Sequence, residues 1–311
     1  MTTPSRTSPV GVAYGVSAYL LWGLLPIYFL LLVPTGPWEL VAWRVLLSFV
    51  LCLVLLTVVR GWKPFLAIVR QPRLLGWTAL AGAVIYVNWQ VFVLAALSDH
   101  IVETSLGYFI NPIFTVLLGV FVLGERLRPL QWTAVGIAAI AVVVIVVAYG
   151  SFPWIALTLA ASFGSYGLIK KKIGPAVDAL SGLTLESFWL VPVAVVQLVL
   201  VAQLGTLTYG TVSTTHTVLL SFAGIATAMP LLLFAASTRR IGLSVVGMLQ
   251  FITPVMQFIT GAFIQGEPMP VERWIGFGIV WVAIAVFLID LAIAGRRDRR
   301  TAQAAAVGAV V

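Results

Sequence analysis

The chain has 311 residues, of which 61% are hydrophobic and only 9% charged, against roughly a quarter charged in an ordinary globular domain. No water-soluble core of this size needs so much apolar surface, so the composition excludes a soluble fold and predicts a polytopic, all-α membrane protein. The formal charge of +8 calls for no nucleic-acid partner until its placement is read, because basic residues in membrane proteins mostly report topology.

In chain order, the opening "MTTPSRTSPV" holds one Arg and runs into more than twenty apolar residues. A secretory apolar region is about 7–15 residues long, so the spacing predicts a retained first helix rather than a cleaved leader. Breaks marked by charge, Pro and Gly then divide the chain into ten spans, near 10–32, 38–59, 74–96, 102–123, 130–149, 153–170, 179–202, 217–237, 243–264 and 272–294. Residues 129–169 carry no charge at all, and "YGSFP" at 149–153 supplies the turn that splits them in two. Cys52 is the single cysteine, which excludes an internal disulfide and a thiolate metal cluster.

With the N-terminus placed in the cytoplasm, sixteen of the eighteen Lys and Arg residues fall in cytoplasmic loops and tails. They include Arg60, Lys63, Arg70 and Arg73, then Lys170–Lys172, and the tail Arg296–Arg300. Arg273 falls outside and Arg44 within a span. This follows the positive-inside rule and predicts that both termini are cytoplasmic, with contacts to anionic lipid on that side.

The chain also writes one segment twice. "FINPIFTVLLGVFVLGE" at 109–125 and "FITPVMQFITGAFIQGE" at 251–267 agree at seven of seventeen positions without a gap, an offset of 142 residues. The same offset maps the first five spans onto the last five, and pairs Trp132 with Trp274 and Gly136 with Gly278. Five is odd, so the second copy enters the membrane from the opposite side. The expected organisation is a tail at 1–9, a first five-helix repeat at 10–150, a second, inverted repeat at 151–295 and a basic tail at 296–311. Inverted repeats around a midplane site underlie alternating access in many secondary transporters.

Several stretches resemble the RarD branch of the EamA transporters, within the drug/metabolite transporter superfamily. They are "SLGYFINP" at 105–112, "LGER" at 123–126, "YGLIKKKI" at 166–173, "LTLESFWLVPVA" at 183–194, "TAMPLLLFAASTRRIGLS" at 227–244 and "GEP" at 266–268. The resemblance covers about residues 10–295. It implies a ten-helix inner-membrane carrier in which helices 1–4 and 6–9 form the cavity and helices 5 and 10 are peripheral.

Buried charge in a span is costly, about 2.5–3.5 kcal/mol on insertion scales, so Glu186 and Arg44 are the first candidates for substrate contact. Glu186 reads either as a proton-coupling or cation-binding carboxylate, or as a structural ion pair or a side chain snorkelling to the interface. Arg44 occupies the equivalent place in the first half under the 142 offset. The pair reads as holding opposite ends of a zwitterion, as a conformational lock, or as separate anchors with Arg44 pairing Glu39. Pro112 and Pro254 each remove a helical hydrogen bond mid-span, and the freed carbonyls belong in packed interiors or at wet cavities. Around them sit Tyr108, Asn111, Gln250, Thr253 and Gln257, which either line a substrate path or bond helix to helix. Asn88, Trp89 and Gln90, with Trp22 and Tyr19, are further wall candidates. Gly124–Glu125 and Gly266–Glu267 read as hairpin clasps, each glutamate capping the helix that follows, with gating as the alternative reading. Gly11 and Gly15 form a close-packing GxxxG.

The two histidines fall in predicted outside loops, and the chain holds no HExxH, no GxxxxGK[ST] phosphate loop and no GxSxG elbow. No catalytic residue, cofactor or metal is therefore expected. The expectation is a secondary transporter of small metabolites or amphipathic drug-like compounds, with a passive channel or a non-transporting receptor or scaffold as the alternatives. Oligomeric state is left open.

Overall fold

The computed structural model describes residues 8–123, 129–149, 152–238, 240 and 249–308. The described residues are helical, with no strand among them. The helices are α1 (Pro9–Leu30), α2 (Pro37–Val58), α3 (Trp62–Val69), α4 (Pro72–Ala96), α5 (Ile101–Leu123), α6 (Pro129–Tyr149) and α7 (Trp154–Ile173). After them come α8 (Ala179–Gln203), α9 (Thr214–Ser221), α10 (Ala223–Thr238), α11 (Ile252–Ile259), which continues as a π-turn over Thr260–Ile264, and α12 (Val271–Gly308).

Local chemistry sets the ends. α1, α2, α4 and α6 each begin on a proline, whose missing N–H is one that a helix start leaves unbonded anyway. Ser8 Oγ accepts from the Gly11 amide, and Asp178 Oδ1 accepts from the amides of Leu180 and Ser181 to start α8. Seven stretches among the described residues are long and apolar enough to cross a membrane: Pro9–Leu30, Pro37–Val58, Pro72–Ala96, Ile101–Val122, Ala179–Gln203, Thr214–Phe234 and Val271–Asp290. Pro129–Val144 and Ile252–Ile264 are shorter apolar helices. The expected ninth span, 243–264, lies in part outside the described residues, as do Gly124 and Glu125. Faces turned away from the bundle are apolar, for example Val193, Val196 and Val199 on α8 and Val50 and Val54 on α2. Side chains of that kind belong against hydrocarbon, and the chain is an integral membrane protein.

The last helix runs on into the tail. Helix α12 does not stop near residue 294 but continues through the Arg296–Arg300 run to Gly308, 38 residues in all, or about 57 Å against a hydrocarbon thickness of about 30 Å. No proline interrupts it, and the segment "TAQAAA" after the arginines is rich in strong helix formers.

Helices pack in a defined set of pairs. α1 lies against α10 and α11, and α7 against α4 and α5; α2 packs on α8 and α10, α4 on α8, α5 on α11 and α6 on α12. Small residues permit the tightest approaches. A Cβ on Gly107 of α5 would stand 2.7 Å from the carbonyl oxygen of Ala156 on α7, and one on Gly224 of α10 would stand 2.6 Å from the Leu47 carbonyl carbon on α2. In the GxxxG of α1, the Gly11 carbonyl accepts from Ser237 Oγ at 2.8 Å, and a Cβ on Gly15 would meet Ser237 and Leu249 at 2.7 Å.

Candidate functional site

Where α1, α2, α4, α5, α7, α10 and α11 converge, the bundle forms a partly open cavity with about 80 Å³ of space for the centres of water molecules, room for several waters at about 10–15 Å³ each. The sequence candidates Trp22, Arg44, Asn88, Trp89, Tyr108, Asn111, Gln250, Thr253 and Gln257 all border it, as does Tyr19. Pro254 borders it too, whereas Pro112, buried in α5, is not among its lining residues. Glu186 lies elsewhere, and Gln90 is not in the wall either; its Oε1 accepts from Gln197 Nε2 at 3.0 Å.

Arg44 sits 3% exposed in the cavity wall. Its Nε donates to Thr227 Oγ1 at 3.0 Å, and Thr227 in turn donates to the Ala223 carbonyl of its own helix. The guanidinium carbon lies over the Phe29 ring at 5.0 Å and over the Trp89 ring at 5.2 Å, an arrangement that favours a cation removed from water. Arg44 Nη1 has no hydrogen-bond partner.

The expected Arg44–Glu39 pair is not formed. Glu39 is instead occupied by backbone: its carboxylate accepts from the Thr208 amide at 2.9 Å and the Tyr209 amide at 3.0 Å, from Thr208 Oγ1 at 2.9 Å, and from Trp43 Nε1 at 3.3 Å. A carboxylate that accepts two amides and a hydroxyl needs no cation nearby. Thr35 Oγ1, within hydrogen-bonding distance of Thr208 Oγ1 at 2.7 Å and His216 Nε2 at 2.9 Å, adds to the same tie between the start of α2 and the 204–216 segment. His216 is thus a buried structural bond rather than a loop side chain in water.

Glu186 is 1% exposed near the start of α8. Oε1 accepts from Lys170 Nζ at 2.6 Å and Oε2 from the Tyr166 hydroxyl at 2.9 Å. This is an ion pair between α7 and α8 at the end of the bundle that carries the Lys170–Lys172 run, away from Arg44. The two offset-equivalent charges therefore do not share a site.

Other polar groups at the cavity already bond helix to helix. Tyr108 donates to Asn88 Oδ1 at 3.1 Å, and Asn88 Nδ2 donates to Leu159 O and Ser162 Oγ on α7. Thr253 donates to the Tyr19 carbonyl at 2.8 Å, and Ser105 to the Pro254 carbonyl at 2.8 Å. Thr104 Oγ1 reaches Gln257 Oε1 at 3.5 Å. Asn111 Oδ1 is buried with no partner.

Glu267 also departs from the clasp expected of it. Oε1 accepts from the Val102 amide at 3.0 Å, so it caps the first turn of α5 rather than that of α12, the helix that follows it. Arg273 Nη1 stands 3.9 Å from Oε2. Gly266 turns the chain back at φ +68°. Burial raises the Glu267 carboxyl above its ordinary range, partly offset by the amides it accepts and by Arg273.

Sequence reasoning did not single out Leu25, Ile85, Phe92, Phe163, Thr227 and Leu231, which also line the cavity. Thr227 had a usable signal, a lone hydroxyl in the apolar run "GIATAMPLLLF" at 224–234. The apolar five had none, because a side chain facing an apolar cavity is chemically the same as one facing lipid. Among the described residues no group of three or more His, Cys, Asp and Glu is placed to hold a metal.

A profile of the EamA-like transporter family matches residues 9–147. The chain is 42% identical over 296 residues to Protein RarD of Streptomyces exfoliatus, covering 95% of this chain and 93% of that protein. It is 38% identical over 300 residues to a protein of Vibrio cholerae named an uncharacterized transporter, covering 96% and 99%. A solved crystal structure matches with a TM-score of 0.58 at 18% identity, covering 91% of this chain and 98% of that one, a likeness of fold alone. At this identity and coverage, the chain is a member of the RarD branch of the EamA family, membrane transporters of the drug/metabolite type.

Proposed function

We propose that the protein is a secondary carrier in the cytoplasmic membrane that moves small, partly apolar molecules by alternating exposure of the central cavity. Family membership supports the transporter class. The observation that carries the mechanism is the pairing of helices. Exchange α1 with α7, α2 with α8, α4 with α9–α10, α5 with α11 and α6 with α12, as the 142-residue offset does. The pair α1–α11 then becomes α7–α5, α1–α10 becomes α7–α4, and α2–α10 becomes α8–α4, while α2–α8, α5–α11 and α6–α12 return themselves. Every one of these pairs is present, which supports two five-helix repeats related by a pseudo-two-fold axis; the odd number of spans in each copy is what makes the repeats inverted.

The cavity draws on both repeats, and its wall pairs offset-equivalent positions: Ile85 with Thr227, Trp89 with Leu231, Tyr108 with Gln250 and Asn111 with Thr253. The ten-span count follows if α6, α7 and α11 cross with the seven longer stretches. The placement of sixteen basic residues then puts both termini in the cytoplasm, where the arginine-rich end of α12 meets anionic lipid. The bond groups around Glu39 and Glu267 hold the opposite end of the bundle together in this conformation, and both have to open before the cavity faces outward.

The test is transport by purified protein in sealed vesicles. A panel of metabolites and drug-like compounds is first screened for thermal stabilisation, which at one hundred times the dissociation constant amounts to about 2.7 kcal/mol. A stabilising compound is then measured for flux. Saturable uptake accelerated by the same compound inside the vesicle supports a carrier. Unsaturable flux with unitary currents replaces it with a channel, and binding without flux replaces it with a receptor.

A further inference from the structure

We propose that the central cavity selects small organic monoanions, one carboxylate carried on an apolar or aromatic body, with Arg44 as the residue that reads the charge. The proposal rests on the reading of this cavity as the transport site and adds the substrate class.

Arg44 places one formal positive charge in a wall where it is 3% exposed. Among the described residues no Asp or Glu lines the cavity, and the described ion pairs do not include Arg44. The nearest acid along its own helix, Glu39, is taken up by the Thr208 and Tyr209 amides. By sequence, residues 241–248, "IGLSVVGM", contain no acid. A cation buried without a counter-charge is costly, and buried charges are ordinarily paired, which a bound anion would supply here. The Phe29 and Trp89 rings lie against the guanidinium, and Nε is spent on Thr227. Nη1 remains as an open donor. An open guanidinium N–H matches a carboxylate oxygen, which accepts a strong charge-assisted hydrogen bond.

The rest of the wall sets the body of the ligand. Trp22, Trp89, Phe92, Tyr108 and Phe163 border the cavity, with Phe92 and Phe163 edge-on to Tyr108 at 5.8 and 6.0 Å. Such walls favour an apolar or aromatic moiety. The same inventory disfavours a zwitterion. Its ammonium would find only neutral acceptors, such as Asn111 Oδ1, and no carboxylate to balance it. A free cation would in addition be repelled by Arg44.

The probes are four compounds that share one body: 3-phenylpropionate, 3-phenylpropanamide, phenylalanine and 2-phenylethylamine, measured by calorimetry on the full-length protein in lipid nanodiscs. The expected result is that the propionate binds at least about tenfold more tightly than each of the other three. Arg44→Gln removes that preference, while Arg44→Lys, which keeps the charge but not the fork, retains part of it. Binding of the amide or of phenylalanine as tight as that of the propionate overturns the proposal. So does a preference that survives Arg44→Gln, or failure of the propionate to bind. The wild-type ranking needs no variant, so a misfolded Arg44→Gln leaves the proposal open to refutation. Flux separates the two readings: propionate that binds but is not carried across vesicles defeats the transport reading alone, whereas saturable flux of an amine or amide indifferent to Arg44 defeats this one alone.

Discussion

Glu186 was the sharpest candidate in the sequence, and its surroundings predict a structural role that a double-mutant cycle can measure. Its carboxylate is 1% exposed, whereas the Lys170 side chain opposite it at 2.6 Å is 29% exposed. The two halves of the pair are therefore unequal. Lys170→Met leaves a buried carboxylate with only the Tyr166 hydroxyl, and breaking a buried pair from that side costs about 3–5 kcal/mol. Glu186→Gln leaves Lys170 free to reach water along its flexible stem, and the amide oxygen still accepts from Tyr166, so about 1–2 kcal/mol is expected. The double variant should be more stable than Lys170→Met alone, because it no longer buries an uncompensated charge, with a coupling of about 1–3 kcal/mol. The assay is thermal unfolding in detergent of wild type, both single variants and the double, where each 1 kcal/mol moves the midpoint by about 2 °C in a chain of this size. Equal losses for the two single variants, or additive losses in the double, refute the reasoning. A Glu186→Gln protein that melts like wild type but no longer carries substrate would assign the carboxylate to coupling instead.

Other perturbations follow from the same geometry. Gly107→Ala drives a Cβ to 2.7 Å from the Ala156 carbonyl oxygen and 2.9 Å from its Cα; backbone cannot rotate away, so a loss of about 1–3 kcal/mol is expected, read as a lower melting midpoint. Glu39→Ala strips the acceptor from the buried amide of Thr208 and from that of Tyr209, a loss of about 2–4 kcal/mol in the same assay, while Glu39→Gln should keep part of the bonding. Glu267 gives a pH dependence. Its carboxyl is raised in the folded protein, burial being the largest cause, so the folded state holds that proton more tightly than the unfolded one. Its contribution is present below the unfolded value, about 4.3, and is lost as pH rises through the raised folded value. Melts at pH 5 and pH 8 should therefore show the wild type losing stability relative to Glu267→Gln as pH increases, and a flat difference contradicts this.

The sequence made some of this legible because polar atoms in an apolar span must be placed somewhere dry. Tyr108, Asn111, Thr253 and Gln257 could be named for that reason, and they do border one cavity. Their partners were not legible. Which carbonyl Thr253 meets depends on α1 and α11 lying side by side, a contact between residues 234 positions apart. Arg44 and Glu186 looked equivalent by offset, but a shared offset does not say which side chains each position meets. Local packing then gave one a lysine and the other two aromatic rings. Glu267 was expected to cap the helix that follows it; Gly266 instead turns it back onto α5. Phe163 and Ile85 carried no signal, since hydrophobicity does not distinguish cavity from lipid.

Alternating access requires that one cavity face the two sides of the membrane in turn. Asn111 borders that cavity and is 6% exposed. A single cysteine at Asn111→Cys, in a background with Cys52→Ala, can be challenged with a membrane-impermeant maleimide added to one side or the other of sealed, oriented vesicles. Alternating access predicts labelling from each side, with a substrate that favours one conformation raising the rate from one side and lowering it from the other. Labelling confined to one side under every condition, or rates from both sides rising together, would contradict it.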